Sequence, residues 1–131
     1  MNNVNRYEKG IENITKLSGE QSTFHDVKGI LKDISPRLSD LFVSFAFGDV
    51  YSGEELTLQQ RELLTISTLV TQGGCDLQLK AHTESALKVG CTKEEIIETI
   101  IHLSPYIGFP RVLNGMLASH EVIQKFEDDA A

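Results

Sequence analysis

Residues 56–90 read LTLQQRELLTISTLVTQGGCDLQLKAHTESALKVG, and this stretch decides the fold. Leu58, Leu63, Leu64, Ile66 and Val70 recur at helical spacing behind Thr57, a residue suited to capping a helix start. Gly73-Gly74 ends that helix. A second helix runs from about Cys75 to Val89 and stops at Gly90, where a left-handed cap is expected. Two helices joined by so short a turn lie antiparallel.

The same period extends outward in both directions. Toward the N-terminus, Tyr7, Ile11, Ile14 and Leu17 form one apolar stripe, and Phe24, Val27, Ile30, Leu31 and Ile34 form another. Ser35-Pro36 reads as a helix start, with Ser35 as cap and Pro36 at the first helical position, where a missing N–H costs nothing. That helix carries Phe42, Phe45 and Phe47 and is expected to stop at Gly48, followed by a turn-rich loop through Gly53. Toward the C-terminus, Thr92-Lys93-Glu94-Glu95 is a capping box opening a helix with Ile96, Ile97, Ile100, Ile101 and Leu103. Ser104-Pro105 disturbs it and Gly108-Phe109-Pro110 breaks it. A last helix is expected from Pro110 to about Phe126, before a frayed tail.

No stretch alternates as a strand does, and no linker divides the chain. The reading is an all-α fold of six to seven helices around a central antiparallel hairpin, with residues 1–131 as a single domain. Leu63–Val70 and Ile96–Leu103 are apolar on more than one face, which predicts burial between subunits and hence a homo-oligomer.

Composition narrows the classes of function. The 131 residues carry 12 basic and 19 acidic side chains, a net charge of −7. With no Lys/Arg cluster, that surface repels nucleic acid. No apolar run reaches the roughly 18 residues a membrane helix needs. The opening stretch, MNNVNRYEKG, has no apolar signal segment, so a cytoplasmic location is expected. Two cysteines fit a reducing compartment and argue against a stabilising disulfide.

Chemistry concentrates on the hairpin. Glu62 lies eleven residues before Gly73 and His82 eight after Gly74, so across antiparallel helices their axial offset is only about 4–5 Å. A carboxylate beside an imidazole fixes its tautomer and suits it to acid–base work near neutral pH. Cys75, Gln78 and His82 follow at steps of three and four and share one face, a possible pocket wall. The plainer alternatives are a Glu62 facing solvent and a Cys75 packed in the core. His25, His102 and His120 have no comparable partner and read as solvated or core residues.

Two segments carry a resemblance: LTLQQRELLTISTLV from Leu56, and QLKAHTESALKVGCTKEEIIETIIHLSPYIGFPRVLNGM from Gln78. With the run from Pro36 to about Leu117, they resemble the carboxymuconolactone decarboxylase family, within the alkylhydroperoxidase-D-like superfamily. A helix, a His-bearing helix, a Gly-Cys-Thr-x-x-Glu turn and Tyr-x-Gly-x-Pro follow in the family's order, which places Tyr106 near the pocket. Residues 36–117 form the matching core, and 1–35 an N-terminal helical extension. The resemblance implies rings of identical subunits, usually trimers or hexamers. It also implies a lyase that needs no cofactor or metal and removes CO2 from a small carboxylated lactone in aromatic-acid breakdown. His82 would then donate the proton and Glu62 orient it, while Arg61 or Arg111 would pair with a substrate carboxylate.

The superfamily's second branch is similar too, and reduces peroxides through Cys-x-x-Cys-x-x-x-His. Here that register reads Cys75-Asp76-Leu77-Gln78-Leu79-Lys80-Ala81-His82, with Gln78 in place of the second cysteine. Cys91 lies sixteen residues beyond Cys75, about 24 Å along a straight helix, out of reach for a disulfide within one subunit. A thiol-dependent peroxidase using Cys75 alone is the competing reading. Gln78 also departs from the decarboxylases, where a glutamate commonly stands four residues before the histidine, and this leaves the substrate open.

Overall fold

A computed structural model describes residues 3–131; Met1 and Asn2, part of the opening stretch read above, lie outside the described residues. The fold is all-helical, with no strand among the described residues. The chain divides into two compact units, the first ending at Thr57 and the second running from Leu58 to Ala131.

In the first unit, α1 (Asn3–Ser18), α2 (Thr23–Ile34) and α3 (Pro36–Leu41) lead into a π-helix, Phe42–Val50. The Ser35 side chain accepts from the Leu38 N–H at 3.2 Å with Pro36 in the first turn, as expected. Ser22 caps α2 in the same way, accepting from the His25 N–H. The expected stop at Gly48 is corrected: helical backbone continues to Val50, and the Tyr51 N–H bonds the Ala46 carbonyl five residues back. Gly48 serves a close approach instead. A Cβ there would overlap the Arg6 carbonyl, just as one at Gly10 would overlap the Val43 carbonyl. These two glycines let α1 and the π-helix pack backbone to backbone.

Buried Asn13 fastens that contact, donating to the Phe47 carbonyl at 2.7 Å and to Ser52 Oγ at 3.1 Å. Arg6 grips Asp49 with both Nε and Nη2. Phe47 is the centre of the aromatic packing, with ring centroids about 5 Å from Phe24, Phe42 and Tyr51. Phe45 faces out.

The second unit holds α4 (Leu58–Gln72), α5 (Asp76–Lys88), α6 (Lys93–His102), the single turn α7 (Ser104–Ile107) and α8 (Phe109–Ala130). The seven helical runs read from the sequence are all found, and α7 is the added element. The capping box closes as predicted: Thr92 Oγ1 accepts from the Glu95 N–H at 3.0 Å, and Glu95 accepts from the Thr92 N–H at 2.9 Å. The last helix reaches Ala130, four residues beyond its expected end. Nothing after Phe126 breaks a helix, and Gln124 bonds Asp128 one turn on. Ile66, Val70, Leu79, Ala86, Ile96, Ile100, Val112 and Ile123 form the core around the α4–α5 hairpin. Leu64 and Ile101, on the wide apolar faces noted above, are exposed. Gly115 brings α8 hard against α4, since a Cβ there would lie 2.6 Å from a Val70 methyl.

Two consequences can be measured. Val70 is β-branched and stiff, so Gly115→Ala is expected to destabilise the protein by about 1–3 kcal/mol in urea unfolding. Burial pushes the His25 imidazole below its ordinary value of 6.5. The folded state therefore keeps His25 neutral, and stability that is complete above pH 6.5 falls as pH drops below it, because the unfolded chain takes up the proton first. Urea midpoints across pH 7.5 to 5.5 should decline in the wild type and decline less in His25→Gln.

Candidate active site

Glu62 lies on α4 in line with Ile66 and Val70, the three buried residues of that helix. It has no exposed surface, so the alternative of a solvated glutamate falls away. The hairpin brings His82 of α5 directly against it: His82 Nδ1 stands 2.7 Å from Glu62 Oε2, and 13% of the His82 side chain remains exposed. Burying a carboxylate in an apolar core is costly unless it is hydrogen-bonded, and a short bond from an imidazole N–H answers that cost. The acceptor-only carboxylate places the proton of a neutral His82 on Nδ1.

Gln78 stands one turn before His82 within α5, and Arg61 directly precedes Glu62 on α4. Cys75 caps the start of α5 half-buried, its thiol directed at the Gly73 carbonyl at 3.3 Å. Gln78 is exposed. Tyr106 is 74% exposed and stacks against His102, with centroids 5.6 Å apart. Arg61 is half-buried beside Glu62 in sequence. Arg111 reaches from α8 to the end of α4, where Nη1 donates to the Thr71 carbonyl at 3.0 Å and the Gln72 carbonyl at 2.6 Å. It thereby satisfies carbonyls that a helix terminus leaves bare, with a cation at the negative end of the helix dipole. Gly73, at φ +73°, leaves room for that guanidinium where any Cβ would collide.

A groove of about 830 Å³ opens beside this turn. Cys75 and Arg111 line it with Leu69, Leu79, Asn114 and Leu117, whereas Glu62 and His82 do not. Cys75 and His82, one face in the sequence reading, thus attend different surroundings. Among the described residues, no three His, Cys, Asp or Glu side chains converge as metal ligands do.

Sequence reasoning weighed Cys91 only as a disulfide partner for Cys75. Cys91 is buried at the turn between α5 and α6, with Sγ 3.7 Å from the Gln59 carbonyl. Burial, then the negative charges of Glu95 and Glu62, push its thiol up to about 11. The Gly-Cys-Thr-x-x-Glu run reads as helix caps, and nothing in it marks the thiol as facing the Gln59 carbonyl of α4.

With this geometry in view, likeness to known proteins becomes informative. Residues 36–121 match the model of the carboxymuconolactone decarboxylase family, and the chain belongs to that family. It is 32% identical to 4-carboxymuconolactone decarboxylase of Acinetobacter baylyi over 95% of this chain and 91% of that protein. It is also 32% identical to nitrosuccinic acid decarboxylase of Metarhizium robertsii, over 68% of this chain and 62% of that one. An uncharacterized 15.0 kDa protein of Paracoccus denitrificans is 28% identical over 76% and 75% of the two chains. No helix is long and apolar enough to cross a membrane among the described residues.

The two thiols should separate cleanly in reactivity. At pH 7.5 iodoacetamide should modify Cys75, while Cys91, buried and protonated, reacts only once urea opens the fold. Intact mass should show one added group on the native wild type and almost none on native Cys75→Ser.

Proposed function

We propose that this protein is a carboxy-lyase that removes CO2 from a small carboxylated acid, with His82 as the proton donor and Glu62 as its positioning partner. The observation that carries the reading is the 2.7 Å contact between His82 Nδ1 and a wholly buried Glu62. Family membership supports it. The two named relatives are decarboxylases of unlike acids by their names, so loss of CO2 is what they share.

The chemistry balances without an added cofactor. The bond between the substrate carbon and its carboxylate breaks, and CO2 departs. The electron pair passes into a neighbouring carbonyl, giving an enolate. Protonated His82 gives its Nε2 proton to the enolate carbon, and Glu62 holds the imidazole through Nδ1 throughout. The ring regains its proton from water. A lactone carbonyl conjugated to the breaking bond accepts the electrons well, which favours a carboxylated lactone of aromatic-acid breakdown as substrate. Arg61, half-buried next to Glu62 in sequence, is the nearer candidate in the chain for a second substrate carboxylate, and Arg111 the further one, since its Nη1 already serves α4. Association of copies belongs to this reading, because Phe109, Leu113 and Leu117 leave an apolar stripe exposed along α8.

The competing thiol peroxidase has less support. Gln78 stands where a second cysteine would, and Cys91 is buried and protonated. Assay of the purified protein with carboxymuconolactone decides the matter. Wild type should release CO2, His82→Ala should lose roughly 10²–10⁴-fold in kcat, and Glu62→Gln should lose less. No release by wild type, beside peroxide consumption that disappears in Cys75→Ser, would reverse the assignment.

A further inference from the structure

The turn between α5 and α6 is bound to the segment of α4 that carries Glu62, through Gln59. The Gln59 side-chain amide donates from Nε2 to the Val89 carbonyl at 2.8 Å. The Cys91 thiol in turn approaches the Gln59 main-chain carbonyl at 3.7 Å. Between them Gly90 adopts φ +105°, which turns the chain so that Val89 and Cys91 both meet one residue of α4. A Cβ built on Gly90 would stand 3.7 Å from Gln59 Nε2, so the amide passes directly over this turn. The turn is itself closed, since the Cys91 N–H bonds back to the Ala86 carbonyl at 2.9 Å.

Position gives these contacts their meaning. Gln59 precedes Glu62 by three residues, so the two share nearly one helical row. Val89 follows His82 by seven residues, two turns along α5. The contact therefore ties α4 to the end of α5 within about one turn of Glu62 and two of His82. A helix sliding along its neighbour by one residue moves each side chain by about 1.5 Å. That is enough to turn a 2.7 Å contact into none.

We propose that Gln59 is a positioning residue for the Glu62–His82 pair, acting with Cys91 as a latch that fixes the register of α4 against α5. The proposal rests on the carboxy-lyase reading for its effect on turnover, but not for its effect on the imidazole.

The imidazole therefore supplies the first readout. Long-range ¹H–¹⁵N NMR should report the wild-type His82 ring as the Nδ1–H tautomer. Gln59→Met keeps the length of the side chain and removes the donor, and it should mix in the other tautomer while helix content and cooperative melting persist. Gln59→Lys restores a donor and should restore the wild-type signal. If wild type releases CO2, kcat should fall about fivefold or more in Gln59→Met, with KM changed less than twofold, and recover in Gln59→Lys. If Gln59→Met does not fold, Cys91→Ala carries the same NMR comparison. A folded Gln59→Met or Cys91→Ala protein with an unaltered His82 signal overturns the latch. So does equal impairment in the Met and Lys variants, which would mean that packing rather than donation matters. Absence of CO2 release with the tautomer shift present would count against the lyase reading and leave the latch standing.

Discussion

A carboxylate with no exposed surface must be answered inside the protein, and in this chain the answer to Glu62 comes from His82 at 2.7 Å. Much of the second unit can be understood as what that contact requires. It needs two helices side by side at a fixed offset, which the Gly73-Gly74 turn permits. It needs Glu62 on the buried face of α4, where Ile66 and Val70 also lie. It also needs both ends of the hairpin held. At one end Gln59 bonds the Val89 carbonyl, and at the other Arg111 covers the last carbonyls of α4.

Features set by local chemistry were legible in the sequence. Ser35-Pro36, the Thr92–Glu95 box and Gly90 announce helix boundaries because each acts on backbone groups within a few residues of itself. The Glu62–His82 meeting was legible for a related reason: a short turn converts sequence offset into distance with little freedom. The burial of Glu62 was not, since an acidic residue after Arg61 and before an apolar run satisfies the pattern of either face. Gly48 misled for the opposite reason. It reads as a stop, yet its use is to admit the Arg6 carbonyl, forty-two residues away, and no local signal encodes that.

The departure of Cys75 from the expected row has a similar cause. Helical steps of three and four place Cys75, Gln78 and His82 on one face only while all three belong to regular helix. Cys75 is the cap, at φ −118°, ψ 39°, outside the helical region, so its side chain leaves the row and joins the groove beside Arg111. Cap residues are where wheel arithmetic fails first. Tyr106 belongs to a single turn after Leu103, where motif order alone says nothing about direction.

The reach of Arg111 across forty residues bears on how the chain matures during synthesis. The carbonyls of Thr71 and Gln72 leave the ribosome well before the guanidinium that will hold them, and so does Val70 before Gly115. Until α8 emerges, the hairpin carrying Glu62 and His82 lacks the Arg111 bonds at its turn, and its core is open on one side. The second unit therefore closes only when α8 docks, and before then the hairpin exposes the apolar surface that Val112, Ala118 and Ile123 come to cover.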